Sequence, residues 1–209
     1  MKNLDLHGQV PDQSSTALLI IDVINDLEFA GGEALLQHAV PMAKHIATLK
    51  RQVKRVRIPV IYANDNFGRW RSDFHRLVRH VRDNDCRGRP LVDLLVPEED
   101  DYCVLKPKHS GFFHTTLDLL LKYLQVTTLI ITGIQTHICV LFTANDAYIR
   151  DLELMIPSDC VAAEQREDHE YALRLMRQVL KADTRPSTDL SIDTLTPLER
   201  TPSAAVPNR

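Results

Sequence analysis

The sequence has few cysteines, little net charge and no long apolar run, and each of these absences excludes a class of protein. The cysteines form no CxxC pair and no zinc-type spacing, so we expect neither a disulfide scaffold nor a structural zinc site; they are Cys86, Cys103, Cys139 and Cys160. A formal net charge of −3 gives the chain no bias toward nucleic acid or membranes. No segment approaches the roughly 20 consecutive apolar residues of a membrane-spanning helix.

The composition is typical of a single domain. The chain has 209 residues, of which 44% are apolar, enough for a full core but short for two domains. The first 15 residues lack the apolar centre of a signal peptide, so we expect a cytoplasmic protein. We predict one domain over residues 1–185 and a tail rich in Pro, Ser and Thr over 186–209. This tail is interpreted either as a short sixth strand followed by disordered chain, or as an arm around a neighbouring subunit.

Apolar runs of strand length alternate with segments whose apolar residues recur at helical spacing. The predicted strands are 16–23, 58–64, 102–107, 126–133 and 152–159, and the predicted helices are 33–56, 72–83, 115–125, 139–151 and 166–182. Ser72 is the expected N-cap of the second helix. The alternation predicts a three-layer, doubly wound (Rossmann-like) α/β fold, with a mostly parallel sheet of five or six strands and helices on both faces.

Positive charge is concentrated in one part of the chain. Residues 50–90 hold twelve Lys or Arg against four Asp. Because no aromatic interleaving or recognised binding motif accompanies them, a solvated pair of helices is favoured over a nucleic-acid surface. Contact with acidic residues at 98–101 of another subunit is a further alternative. The expected partners are a small-molecule substrate and other copies of this chain, with no nucleic acid and no membrane.

Three polar residues stand where predicted strands end. Asp22 closes the first strand, Lys106 closes the third, and Cys139 begins the helix after the fourth. Because the carboxyl ends of parallel strands share one edge of a sheet, these side chains can meet there. Lys106 and the helix N-terminus would favour a thiolate, and Asp22 could take the thiol proton and return it to a leaving amine. Spacing alone leaves another interpretation equally open: a turn-forming aspartate, a solvated lysine and a core cysteine.

Three segments of the sequence are similar to a known family. They are "TALLIIDVINDL", "LELMIPSDCVA" and, most densely, the stretch from Lys106 to Ala147, which contains "GIQTHICVLFTANDA". From about residue 15 to residue 182, the chain resembles the isochorismatase-like cysteine hydrolases. The nucleophile motif of that family is a glycine, a β-branched residue and x-Thr-x-x-Cys-Val, then Thr-Ala and Asp-Ala. The corresponding residues are Gly133 to Val140, Thr143-Ala144 and Asp146-Ala147.

The resemblance implies a role for each matching residue. It places the catalytic aspartate at Asp22, the lysine at Lys106 and the nucleophile at Cys139. The lysine of the family stands four residues before a Ser-small-Phe motif, so Lys108 is expected to be an exposed or pocket-rim charge. The family also has a cis peptide bond at the position just before Gln135. This bond would direct the backbone N–H groups of Gln135 and Cys139 toward one point and form an oxyanion hole.

The sequence departs from the family pattern in two places. Where many members have Asp-x-Gln-x-Asp-Phe, this chain has "DVINDL", so a polar contact and an aromatic pocket wall are missing. The metal-binding Asp-x-His of nicotinamidase-type members corresponds to Asp65-Asn66-Phe67, without the histidine. His75 and His80 are expected to be surface residues of a helix. We therefore predict no metal and no cofactor, and the missing histidine argues against a nicotinamidase role.

The substrate pocket is expected to take its walls from loops at the same edge of the sheet. An arginine in these loops would suit a carboxylate-bearing substrate, and an exposed arginine-rich loop is the alternative. The residues expected to line the pocket are Leu27, Phe67, Arg69, Trp70, Phe112 and His137.

Three functions are compatible with these residues. The first is hydrolysis of a C–N bond in a small amide through a thioester at Cys139. The second is hydrolysis of an isochorismate-like vinyl ether, which uses an acid and a positioned water and does not need the cysteine. The third is a non-enzymatic binding or regulatory protein, because a fold does not determine a function.

Overall fold

The computed structural model describes residues 13–67 and 73–195, and its centre is a parallel sheet. The strands are β1 (Thr16–Ile21), β2 (Val60–Asp65), β3 (Tyr102–Lys106), β4 (Thr128–Ile134), β5 (Glu153–Met155) and β6 (Val161–Ala162). They lie in the order β3-β2-β1-β4-β5, and β6 pairs with β4. Each of these pairings is parallel.

Helices cover both faces of this sheet. They are α1 (Gly32–Arg55), α2 (Phe74–Asp83), α3 (Arg89–Leu94), α4 (Leu117–Leu124), α5 (Leu141–Tyr148) and α6 (Arg166–Gln178). Successive residues of the buried strand β1 point to opposite faces, so Leu18 and Ile20 join the core formed with α1, α2 and α3. Leu19 and Ile21 join the core formed with α4, α5 and α6. The predicted three-layer, doubly wound α/β fold is confirmed.

The strand order reverses between β1 and β4. The chain passes from β1 outward through β2 to β3, and then returns to place β4 on the other side of β1. At such a switch point the connections leave in opposite directions, which opens a crevice beyond the carboxyl ends of the two strands. Asp22 directly follows β1, and Gly133 and Ile134 end β4. The fold therefore brings the predicted aspartate beside the start of the predicted nucleophile motif.

The predicted strand over 152–159 is interrupted. Strand β5 ends at Met155, and Pro157 precedes a 3₁₀ turn over Ser158–Cys160. Because proline has no N–H to donate, pairing stops there and resumes at β6, which pairs with Gly133 and Ile134. The sixth strand thus precedes the last helix, and residues 186–195, where a sixth strand was also expected, contain no strand. Helix α3 was also missed, since its six residues are too few to show a helical period.

The first part of the predicted tail packs on the domain. Residues 186–195 contain two 3₁₀ turns, Ser187–Asp189 and Ile192–Thr194. Ser187 donates hydrogen bonds from its backbone N–H and its hydroxyl to Asp159, each 2.7 Å long. Leu190 and Ile192 are buried in the core with α1. The rest of the predicted tail lies outside the described residues.

Part of the basic segment is neutralised within the chain. Lys50 Nζ lies 2.6 Å from Asp101 Oδ2, and Lys54 Nζ lies 2.6 Å from Asp100 Oδ1. Glu98 pairs with both lysines. Glu98, Asp100 and Asp101 therefore pair with lysines of α1 in their own chain, which weakens the expectation that they contact another subunit.

Two further features bear on the sequence predictions. Asp73 caps α2 by accepting a 2.7 Å hydrogen bond from the Arg76 N–H, and Ser72, the expected cap, lies outside the described residues. In the described ranges, no helix combines the length and the apolar character that crossing a bilayer requires.

Candidate active site

Asp22, Lys106 and Cys139 meet at the carboxyl edge of the sheet. The Lys106 Nζ atom lies 2.8 Å from Asp22 Oδ2 and 3.5 Å from Cys139 Sγ. Asp22 follows β1, Lys106 ends β3, and Cys139 lies in a π-helical turn over Thr136–Val140 that leads into α5. A carboxylate, an ammonium and a thiol thus form one contact cluster, built from three separate parts of the chain.

Lys106 is the lysine of the cluster, and Lys108 is not. Lys106 has no exposed surface, whereas Lys108 is exposed. The Lys106 carbonyl accepts a 3.0 Å hydrogen bond from the Asn66 N–H, which continues the pairing of β2 and β3 to the last residue of β3. Pro107 then ends the strand, and the chain turns outward before Lys108.

Asp22 is held by contacts to both of its carboxylate oxygens. Oδ1 accepts a 2.7 Å hydrogen bond from the Asp65 N–H, and Oδ2 faces Lys106. The Asp22 N–H donates to the Ala63 carbonyl at 3.0 Å. Burial raises the pKa of Asp22, and Lys106 and Cys139 offset part of this rise. Asp22 is therefore a stronger proton acceptor than a carboxylate on the surface.

The thiol of Cys139 is neutral in the resting site. Burial raises the pKa of the thiol, the charge of Asp22 raises it further, and Lys106 offsets only part of the effect. We expected Lys106 and the helix N-terminus to favour the thiolate, but desolvation and the adjacent carboxylate outweigh them. Asp22 is the carboxyl group whose charge acts most strongly on the thiol.

Lys106 stays charged although it is buried. Burial by itself lowers the pKa of Lys106, but Asp22, Cys139 and Asp65 outweigh this effect and raise it. The cluster therefore combines the ammonium of Lys106 with the carboxyl groups of Asp22 and Asp65 and the thiol of Cys139. Asp65 was not among the predicted catalytic residues, although it also stands at the end of a strand, as Asp22 and Lys106 do.

The turn that carries Cys139 is tied to its surroundings by two threonines. The Thr143 hydroxyl donates to the Cys139 carbonyl at 2.6 Å and accepts from the Gly111 N–H at 2.9 Å. The Thr136 hydroxyl lies 2.9 Å from His169 Nδ1 on α6. These contacts connect the turn to the segment after β3 and to α6. Thr136 and Thr143 both had a signal in the sequence, as parts of the family motif, whereas His169 had none.

The connection from β4 into this turn has a distinctive backbone. Gly133 has a φ of 113°, and a Cβ atom there would clash with the Ile21 carbonyl oxygen of β1. The peptide bond between Ile134 and Gln135 is cis. The Gln135 carbonyl then accepts hydrogen bonds from the N–H groups of Ile138 and Val140 at 3.0 and 3.2 Å.

The residues expected to line the pocket occupy different environments. Leu27 is fully buried and Phe112 is nearly so, and both pack in the cores beside the sheet rather than at an open wall. Phe67 is 42% exposed, and the His137 side chain is 26% exposed, with Nε2 3.9 Å from Asp168 Oδ2. Arg69 and Trp70 lie outside the described residues.

The described residues do not gather metal ligands. Residues 13–67 and 73–195 contain no group of three or more His, Cys, Asp or Glu side chains arranged to hold a metal ion. His75 is exposed and His80 is partly exposed on α2. Asp65, at the position of a family metal ligand, instead faces Lys106 at 3.6 Å. The absence of a metal stays a prediction.

The fold identifies the chain as a doubly wound α/β protein. A thiol, a lysine and a carboxylate lie at the switch point of its sheet. The family model for the isochorismatase domain matches residues 16–184. The chain therefore belongs to the isochorismatase-like hydrolases.

Curated relatives support this membership. The chain is 42% identical over 171 residues to YaaI, an uncharacterized isochorismatase family protein of Bacillus subtilis, covering 82% of this chain and 93% of that protein. It is 32% identical over 182 residues to a probable inactive nicotinamidase of Arabidopsis thaliana, covering 79% and 89%. It is 31% identical over 171 residues to an isochorismatase of B. subtilis, covering 78% of this chain but 53% of that protein.

Solved structures share the fold. An isochorismatase-like hydrolase from Alkaliphilus metalliredigens matches with a TM-score of 0.65 and 28% identity, covering 87% of this chain and 99% of that chain. The nicotinamidase PncA from B. subtilis matches with a TM-score of 0.63 and 26% identity, covering 82% and 99%.

Proposed function

We propose that the protein hydrolyses a C–N bond in a small amide through a thioester at Cys139. The observation that carries this proposal is the contact of Lys106 Nζ with both Asp22 Oδ2, at 2.8 Å, and Cys139 Sγ, at 3.5 Å. A thiol beside a buried carboxylate has a base for its proton, and the adjacent ammonium stabilises the thiolate as it forms. The similarity to a nicotinamidase structure supports an amide as substrate.

In the first half of the reaction, Cys139 replaces the amine. Sγ attacks the carbonyl carbon as its proton passes to Asp22, and the C=O electron pair moves to the oxygen. Backbone N–H groups of Gln135 and Cys139 are proposed to hold this oxyanion. The C–N bond then breaks, and protonated Asp22 gives its proton to the leaving nitrogen.

In the second half, water releases the acid product. Asp22, again a carboxylate, takes a proton from water as the water oxygen attacks the thioester carbon. The C–S bond breaks, and the sulfur recovers its proton from Asp22. The raised pKa of Asp22 suits this repeated exchange, because the best acid–base groups titrate near the working pH.

The test is a panel of small amides with release of ammonia or amine as the readout. Wild type should turn over at least one member and form an acyl-enzyme that intact mass detects at Cys139. Cys139→Ser and Asp22→Asn should lose most of the activity, and Cys103→Ser, an exposed thiol, should retain it. Equal activity of wild type and Cys139→Ser on every substrate turned over would contradict nucleophilic catalysis.

Hydrolysis of a vinyl ether is the second candidate. It is favoured by the 31% identity to an isochorismatase, and in that chemistry Asp22 would act with a water while the cysteine is dispensable. Pyruvate release from isochorismate that survives Cys139→Ala and is lost in Asp22→Asn would support this candidate over the amide reaction.

A non-enzymatic role is the third candidate. It is favoured by the relative named as an inactive nicotinamidase. The presence of Asp22, Lys106 and Cys139 in one contact cluster argues against a non-enzymatic role. Binding of an amide without turnover, measured by calorimetry and unchanged in Cys139→Ala, would support a binding protein.

A further inference from the structure

Lys106 has a second carboxylate beside it. Asp65 ends β2 directly opposite Lys106 in the parallel register, and its Oδ2 lies 3.6 Å from Lys106 Nζ. The backbone N–H of Asp65 donates to Asp22 Oδ1 at 2.7 Å, and its Oδ1 accepts from the Phe67 N–H at 2.6 Å. Asp65 is thus aligned by its own backbone and touches both charged members of the cluster.

The proposed reaction changes the charges that face Lys106. In the resting site Lys106 faces the carboxylates of Asp22 and Asp65 and the neutral thiol of Cys139. When sulfur attacks, its proton moves to Asp22, a C–S bond forms and the negative charge passes to the substrate oxygen. At that stage Asp22 and the sulfur are both neutral. Among the described partners of Lys106, Asp65 is then the one that keeps its charge.

We propose that Asp65 is a positioning residue that acts as the counter-ion of Lys106 while Asp22 and Cys139 are neutral. This inference rests on the proposed thioester reaction. A buried ammonium that loses its anionic partners is strongly destabilised, so it would move or lose its proton. Asp65 prevents both by holding the ammonium from the neighbouring strand.

The charge of Asp65 also acts on the proton affinities of the cluster. It is one of the charges that raise the pKa of Lys106 against the effect of burial. Asparagine at position 65 keeps the side-chain size and the backbone N–H to Asp22 but removes the charge. Removing a negative charge lowers the pKa of a neighbouring ammonium, here that of Lys106, 3.6 Å away. The alkaline limb of the pH–rate profile should therefore move to lower pH.

The experiment compares Asp65→Asn and Asp65→Glu with wild type on an amide that wild type turns over. In Asp65→Asn we expect kcat to fall about 10- to 100-fold with KM changed less than about threefold, because the lost partner matters after binding. The alkaline limb of kcat should shift down by at least about half a pH unit. Asp65→Glu should keep that limb near its wild-type position.

The matched control is Asp118→Asn. Asp118 is a surface carboxylate that pairs with Lys122 and Arg150, so its loss removes the same charge without touching the cluster. This control should leave kcat and the pH profile unchanged. The inference would be overturned if the pH profile of kcat in Asp65→Asn were lower than in wild type but kept the same limbs. A change in KM alone would also overturn it.

A substrate-free measurement separates this inference from the proposed function. The ¹³Cε resonance of Lys106, assigned by its absence in Lys106→Met, should titrate at lower pH in Asp65→Asn than in wild type. An unshifted titration would overturn the role of Asp65 whatever the reaction is. Activity that survives Cys139→Ser would instead defeat the thioester mechanism while leaving the coupling of Asp65 to Lys106 intact.

Discussion

At the scale of single residues, the site places the thiol of Cys139, the proposed nucleophile, beside the ion pair of Lys106 and Asp22. A unit charge pair about 4 Å apart interacts by roughly 4 kcal/mol at an effective dielectric constant near 20. The contact of Lys106 with Asp22, at 2.8 Å, therefore offsets part of the cost of burying both groups. Cys139 is farther from the ammonium, at 3.5 Å, and also faces the carboxyl group of Asp22, so its surroundings raise the pKa of the thiol.

Lys106 and Lys108 should differ sharply in their effect on catalysis. Lys106→Met is expected to lower kcat by at least about 100-fold, which is roughly 2.7 kcal/mol of barrier, because it removes the charge that faces the thiolate. Lys108→Met should lower kcat by less than about tenfold, since Lys108 is exposed and outside the cluster. Steady-state kinetics of both variants on one substrate measure this difference. A larger loss in Lys108→Met would mean that the wrong lysine has been assigned.

The pH at which the Cys139 thiolate forms should depend on Asp22. Asp22 carries a negative charge that raises the pKa of the thiol, so Asp22→Asn should lower that pKa and move thiolate formation to lower pH. The variant should nevertheless lose activity, because asparagine cannot accept the proton. Ultraviolet absorbance of the thiolate over a pH series, with Asp22→Asn/Cys139→Ser subtracted, measures the shift. Thiolate formation at higher pH than in wild type would contradict the assigned contact.

At the scale of elements, the close approach of β1 and β4 determines the backbone that leads to Cys139. Gly133 has a φ of 113° and lies against the Ile21 carbonyl, so its lack of a side chain allows the two strands to pair to their ends. The π-helical turn over Thr136–Val140 follows within three residues. The position of the thiol therefore depends on a contact between two strands and not on the helix alone.

Replacing Gly133 should weaken the pairing of β1 with β4. Gly133→Ala is expected to lower the free energy of unfolding by at least about 2 kcal/mol, from the clash with Ile21 and the unfavourable φ. Gly111→Ala is the control, because its added Cβ would meet a movable side-chain atom of Leu117 at 3.1 Å and its φ is not positive. Urea unfolding measures both variants. Equal losses would show that the β1–β4 contact has no special role.

At the scale of the whole molecule, the chain after α6 returns to the core with α1. Ile192 is 5% exposed there, so Ile192→Ala should lower the free energy of unfolding by about 2–4 kcal/mol. Leu119→Ala, at a position 56% exposed on α4, should change it by less than about 0.5 kcal/mol. Urea unfolding of the full chain compares the two. No loss in Ile192→Ala would mean that this segment does not stabilise the domain.

Assembly is a further property of the whole molecule. We propose that the chain forms a homo-oligomer, as the resemblance to its family implies. The acidic residues 98, 100 and 101 pair with Lys50 and Lys54 of the same chain, so charge pairing at these residues is not the expected basis of assembly. Light scattering coupled to gel filtration should give a mass above 23.8 kDa, and a monomer at micromolar concentration would contradict the proposal.

The sequence determined those features that depend on local pattern. The side chains of a continuous apolar run such as residues 16–21 are buried only when helices cover both faces of the sheet. The parallel sheet and its helices could therefore be predicted. Polar residues at strand ends in a parallel sheet share one edge, so Asp22, Lys106 and Cys139 could be named together, with the family motif to choose among lysines. A six-residue helix such as α3 and the two-residue strand β6 carry too little pattern to be predicted.

The tertiary structure decided what depends on distance and burial. The pKa of Cys139 is raised because the fold buries the thiol against Asp22, which no local rule about helix N-termini contains. Asp65 became a partner of Lys106 because the β2–β3 register places the two residues opposite each other, 41 positions apart in the sequence. Leu190 and Ile192 are buried in the core, and Ser187, just before them, is hydrogen-bonded to Asp159. The Pro, Ser and Thr content of this segment had instead predicted a tail. Patterns of neighbouring residues specify the elements, and only their packing specifies which charges meet and which of them water can reach.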